Sequence, residues 1–119
     1  MLNANDNVTL TNFAIERILT IGEPLTQYNM VFFMAPEVID SCYIDKSDTW
    51  SCGCLLYLML SGYLPFQGSF KVEVLQQIIQ LKKVDFGFEE FKSVSQDCKS
   101  FISELLTHRK KRLSAREAL

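Results

Sequence analysis

The chain has 119 residues, 48% hydrophobic and 22% charged, an ordinary globular composition that excludes a disordered chain and suits one domain or part of one. A net charge of −2 and a pI near 5.3 give no basis for a nucleic acid or an anionic membrane as partner. The longest apolar run, Cys52 to Leu60, has nine residues against the roughly 20 that a membrane span needs. Met1 to Asn7 lacks the basic and apolar regions of a signal peptide, so a soluble, cytoplasmic protein is expected.

Val8 to Phe13 alternates, with Val8 and Leu10 on one side and Thr9 and Thr11 on the other, which predicts a short strand after an Asn/Asp turn cluster. Ile15 to Val31 holds no period, and Gly22-Glu23-Pro24 breaks any helix; an exposed loop is expected there. Met34 to Asp40 reads as a short helix started by Pro36 near its first turn. Asp45 to Ser61 is the strongest helix. From Cys52 to Leu60 it is apolar on every face, which predicts a helix wrapped by others at the centre of the domain. Gly62-Tyr63-Leu64-Pro65-Phe66 ends it.

Phe70 to Leu81 is amphipathic, with Val74, Leu75, Ile78 and Ile79 on one stripe. Ser95 to Leu106 carries Cys98, Phe101, Ile102, Leu105 and Leu106 at helical spacing, with Ser95 suited to the N-cap and Asp97 to the positive end of the helix dipole. Ser114-Ala115-Arg116-Glu117 has the pattern of a capping box, and the residues after it make under two turns, too few for a helix to persist alone. The class is mainly α with a little β. The four cysteines form no metal spacing and no disulfide ladder; on a helix Cys52 and Cys54 point about 200° apart. They read as free thiols.

Several of these segments carry motifs. Ala35-Pro36-Glu37 is followed eleven residues on by Asp48-Thr49-Trp50-Ser51-Cys52-Gly53 at the head of the apolar helix, and Lys110-Lys111-Arg112-Leu113-Ser114-Ala115 precedes the last capping box. In this order the elements resemble the lower lobe of a protein kinase catalytic domain. The strand with Asn12-Phe13-Ala14 falls where the family has its magnesium-binding Asp-Phe-Gly. The loop to Met34 falls on the activation segment, which Ala35-Pro36-Glu37 closes. Tyr43 to Gly53, with Ser61 to Phe66, is most similar to the calcium- and calmodulin-dependent serine/threonine kinases. The resemblance spans residues 1–119 as a partial kinase domain, from the activation segment to the start of the last helix.

The resemblance implies roles for named residues. Glu37 and Arg112 match a buried ion pair that holds the activation segment to the lower lobe, and Pro36, Trp50 and Gly53 are structural. Asp48 matches an acceptor of backbone N–H bonds from the catalytic loop; the alternative is that it caps its helix or faces water. In His108-Arg109-Lys110-Lys111-Arg112 a solvated loop is expected in which Arg112 alone turns inward. His108 has no neighbouring acid or thiol in sequence and is not a catalytic candidate. Asp85-Phe86-Gly87 spells the metal motif literally but lies after Ala35-Pro36-Glu37 with no strand before it. A motif counts only in its context, and no magnesium site is expected there.

The departures point away from catalysis. Phosphoryl transfer is mostly positioning and charge stabilisation, and the family needs a Gly-rich loop, a strand lysine with its helix glutamate, a catalytic-loop Asp and Asn, and the metal Asp. The dozen residues before Phe13 contain none of the first four. At the fifth stands Asn12, a neutral amide where magnesium relies on charged ligands. Ala14 replaces a glycine, and Tyr28 to Phe33 lacks the Gly-Thr of the substrate loop. Thr20, Thr26 and Tyr28 have no evident arginine dock for a phosphate.

The expectation is therefore a serine/threonine kinase fragment with no catalytic residues and no cofactor or metal of its own. ATP and magnesium belong to the parent family. The alternative is a non-catalytic pseudokinase-type scaffold; an unrelated helical interaction domain fits the ordered motifs least. Several hundred Å² of wet apolar surface on the central helix, at roughly 25 cal/mol per Å², would forfeit on the order of 10 kcal/mol. A protein partner, another kinase segment or self-association is expected to cover it.

Overall fold

The structure, a computed structural model, describes residues 29–119. The expected strand, Asn12, Thr20, Thr26 and Tyr28 lie outside them. Among the described residues the order is a 3-10 turn at Asn29–Phe33, then α1 (Pro36–Ile39), α2 (Lys46–Ser61), α3 (Lys71–Ile79), a second 3-10 turn at Glu89–Ser93 and α4 (Gln96–Leu105). The mainly α fold of a kinase lower lobe is what the motifs imply.

The element boundaries follow local chemistry. α1 starts at Pro36 rather than Met34, because proline holds the residue before it out of helical geometry; Ala35 is extended, with φ −70° and ψ 153°. It ends in a Schellman turn: Cys42 N–H reaches Glu37 C=O at 2.8 Å and Ser41 N–H reaches Val38 C=O at 3.0 Å. That turn puts Ser41 at φ 60°, a left-handed position that glycine fills at least cost. α3 closes in the same way, with Lys82 N–H on Gln77 C=O, Leu81 N–H on Ile78 C=O and Leu81 at φ 52°. The helix expected to reach Leu81 thus stops at Ile79.

Asp45 stands before α2 rather than in it and accepts Lys46 N–H at 2.9 Å. Ser47 holds the same end, its Oγ accepting Ile44 N–H at 3.2 Å. Gly62 ends α2 in the left-handed region, φ 76°, donating to Leu58 C=O at 2.8 Å. At α4, Ser95 Oγ accepts Cys98 N–H at 3.2 Å. Ser114 and Glu117 form a reciprocal box at 2.7 and 3.3 Å around one turn, with Ala118 N–H on Ser114 C=O at 3.0 Å.

The core gathers against one stripe of α2. Trp50, Gly53, Cys54, Tyr57 and Ser61 are buried, spaced as one helix face. Val74 and Ile78 of α3, Ile102 of α4, Phe66 and Phe91 join it, with Val31, Met34, Ala35, Val38 and Leu106. Tyr57, Phe86 and Phe91 pack as an aromatic group, with centroids 4.8 to 5.9 Å apart. Val31 corrects an expectation. It sits in the first 3-10 turn with no solvent exposure, not in an exposed loop, because Ser51 Oγ donates to Phe33 C=O at 2.8 Å and ties that turn to α2.

α2 is buried along one stripe rather than on every face, and the opposite face, with Cys52, carries the wet apolar surface expected of it: Leu55 is 49% and Met59 72% exposed, one turn apart. Ile79, expected in the buried stripe of α3, is half exposed because the chain leaves the helix there.

Candidate functional site

The most completely built site is a buried acid–base clasp. Arg112 is 1% and Glu37 5% exposed, although they are 75 residues apart in the chain. Arg112 Nη1 donates to Glu37 Oε1 at 2.5 Å and Nη2 to Oε2 at 3.0 Å, the two-pronged geometry in which guanidinium and carboxylate match. The remaining donors are satisfied by backbone: Nη1 also reaches Lys46 C=O at 2.9 Å, and Nε reaches Thr107 C=O at 3.1 Å. Glu37 Oε1 accepts a further bond from Ser47 Oγ at 3.1 Å.

Each partner is delivered by a local device. Pro36 starts the one-turn helix that carries Glu37. The reversal at His108, whose C=O accepts Lys111 and Arg112 N–H at 2.8 and 3.0 Å, turns Arg112 inward while His108, Arg109, Lys110 and Lys111 stay exposed. Lys46 Nζ then holds Arg112 C=O at 2.7 Å, and the Thr49 hydroxyl lies 2.8 and 2.9 Å from the Lys46 and Leu113 carbonyls.

Trp50 lies under the guanidinium, whose Cζ is 4.9 Å from the ring centroid, and stacks on Phe66 at 5.6 Å with a 3° tilt. The aromatic face favours the cation. Its Nε1–H is buried without a partner among the described residues, which costs about 1–3 kcal/mol. Burial alone would push the Glu37 carboxyl up. The bonds from Arg112, the Glu37 backbone N–H and Ser47, with the guanidinium charge, outweigh it and hold the group below its ordinary 4.5.

Gly53 sets how closely α2 meets α4: a Cβ there would stand 2.9 Å from Leu105 Cβ and 3.0 Å from Leu106 Cδ2. Asp48 is exposed in the first turn of α2, and its Oδ1 accepts the Tyr43 hydroxyl. Glu37, Arg112, Trp50 and Pro36 therefore meet at one place, whereas Asp48 stands outside it. The sequence reading did not single out Lys46, Ser47, Thr49 or Phe66 for this site. Ser47, a hydroxyl in the first turn of a strong helix, carried the only usable signal.

The literal Asp85-Phe86-Gly87 is a turn. Asp85 Oδ1 accepts Gly87 N–H at 2.8 Å, and its carbonyl accepts the Tyr57 hydroxyl at 2.5 Å. No group of three His, Cys, Asp or Glu side chains among the described residues could hold a metal ion. No helix among them is long and apolar enough to cross a membrane. The clasp positions backbone; it presents no nucleophile.

Comparison with known proteins identifies the family. The protein kinase domain family matches residues 1–119. Calcium-dependent protein kinase 4 of Plasmodium berghei (strain Anka) is 38% identical over 89 residues, 74% of this chain and 17% of that protein. Calcium-dependent protein kinase 4 of Arabidopsis thaliana is 36% identical over 113 residues, 92% of this chain and 22% of the relative. Among solved structures, the twitchin kinase region from C. elegans is similar at a TM-score of 0.70 and 33% identity, over 76% of this chain and 16% of that one. The chain spans about a fifth of the length of these curated relatives.

Proposed function

The chain belongs to the protein kinase domain family, and we propose that its 119 residues form the activation-segment and lower-lobe part of a serine/threonine kinase domain of the calcium-dependent type. By themselves they do not transfer phosphate. The clasp of Glu37 on Arg112 supports the positional part of this reading, because it ties the Ala35-Pro36-Glu37 segment to the far end of the chain. The family reaction, transfer of the γ-phosphate of ATP to protein hydroxyls, needs residues that these 119 do not supply.

The side chains present do not fit a magnesium–nucleotide site. Asn12 offers a neutral amide oxygen where the family has a carboxylate. Asp85 has its carboxylate on Gly87 N–H and its carbonyl on Tyr57. Incubating the chain with labelled ATP, magnesium and a basic peptide is expected to give no labelled peptide; robust labelling would reject the inactive reading.

A second reading is a non-catalytic, cytoplasmic binding module. It is favoured by the exposed Leu55 and Met59 on α2, which a protein partner, another kinase segment or a second copy would cover. Sedimentation of the purified chain separates these: a monomer with an unperturbed melting profile would argue against the need for any cover.

A further inference from the structure

The chain carries a net charge of −2, yet two segments of it bring cations to one place. Arg109, Lys110 and Lys111 follow one another in the turn that ends in Arg112, and all three are exposed. Lys82 and Lys83 leave the end of α3 and are exposed as well. The two segments meet at a cleft of about 220 Å³, lined by Arg109 from the first and by Leu81, the neighbour of Lys82, from the second. Among the described residues no carboxylate stands within 4.0 Å of any of these five side chains, whereas Lys46, Lys92 and Arg112 each have one.

The cleft between these cations is aliphatic where Pro36, Ile79 and Leu81 line it, and Ile79 is half exposed. Glu37 also borders it, but its charge is met by Arg112. Asp40 is the remaining carboxylate of the lining. Asp85, two residues past Lys83, has its carboxylate on Gly87 N–H. The cleft has room for a short side chain and falls below the roughly 300–1,000 Å³ of small-molecule sites. Its one ring, the His108 imidazole, makes a poor platform for stacked bases. An apolar hollow flanked by unpaired cations complements a ligand that has an apolar centre and anionic flanks.

We infer that this cleft and its flanking cations form a docking surface for an acidic peptide segment that carries an aliphatic side chain. The aliphatic group enters the cleft and covers Ile79. The carboxylates on one side of it meet Arg109, Lys110 and Lys111, and those on the other side meet Lys82 and Lys83. Arg109 can grip a carboxylate with two parallel bonds, while the lysines act as less directional charges. Their attraction reaches about 10 Å and weakens as salt is added. The clasp stays shut throughout, because Arg112 keeps its own carboxylate inside.

Fluorescence anisotropy tests this with the full chain titrated into a fluorescein-labelled peptide in which one leucine stands between two short runs of glutamate. Replacing that leucine by serine is expected to weaken binding about fivefold, and replacing the glutamates by glutamine about tenfold. Lys110→Glu with Lys111→Glu, and separately Lys82→Glu with Lys83→Glu, should each weaken the acidic peptide by about tenfold. Lys92→Glu with Lys99→Glu makes the same change of charge outside the cleft lining and should cost less than about twofold. Ile79→Ser should erase the preference for leucine over serine, and circular dichroism checks that every variant stays folded. No binding, a cleft pair without effect, or a control pair that costs as much as the cleft pairs would overturn the assignment. So would a single-stranded oligonucleotide or a phosphatidylserine vesicle that binds as tightly as the peptide.

Discussion

The two faces of α2 have been built on opposite terms. One face, at Trp50 and Gly53, buries a carboxylate and a guanidinium that water would otherwise solvate well, and every donor of Arg112 that the structure shows bonded ends on a carboxylate or a carbonyl. The other face exposes Leu55 and Met59, which water solvates poorly. Charge is tolerated inside where its geometry is complete, and apolar surface is left outside where no described element meets it. Polarity alone is therefore a poor guide to position in this fold; the pairing of each group decides.

The contrast is broken most directly at the clasp. Arg112→Ala should cost roughly 3–5 kcal/mol, because Glu37 is left buried and unpaired, and Glu37→Ala should cost a similar amount. The double variant should lose less than the sum, measured by urea unfolding followed by circular dichroism. An unchanged midpoint for either single variant would deny the pair its role.

The same face responds to acid. Glu37 is held below its ordinary 4.5 in the folded chain, so its stabilising contribution is complete above that value and is lost as pH falls through the lower, folded-state value. Unfolding midpoints taken from pH 6 downward should fall more steeply for the native chain than for Glu37→Gln, which has no carboxylate there to protonate. Parallel curves would assign acid sensitivity elsewhere.

Gly53→Ala sharpens the packing side of the comparison. Its Cβ meets Leu105 Cβ at 2.9 Å, an atom fixed directly to the α4 backbone that cannot swing away, and overpacking of this kind costs about 1–3 kcal/mol. On the exposed face, Leu55→Gln with Met59→Gln should shift stability by no more than about 0.5 kcal/mol while reducing self-association in sedimentation. A large loss of stability would mean that this face is covered in solution.

What could be read in advance depended on whether the signal was local. The caps at Ser95 and Ser114–Glu117 were legible because each is a short exchange of hydrogen bonds between neighbours in sequence. The meeting of Glu37 with Arg112 was legible only through the order of motifs shared with kinases; no periodicity connects residues so distant. Val31 was misread because a 3-10 turn has no period to detect and its burial comes from contacts made elsewhere in the chain. The supporting carbonyls of Lys46 and Thr107 could not have been found, since a backbone acceptor leaves no trace in residue type.

Trp50 is the chain's single tryptophan, and it packs against both the Arg112 guanidinium and the Phe66 ring. Its intrinsic emission is consequently an internal optical gauge of one junction, with no label and no second indole to confuse it. When Arg112 lifts away, the indole trades a cation and a ring for water, and the wavelength shift times the opening of that junction apart from the melting of the rest.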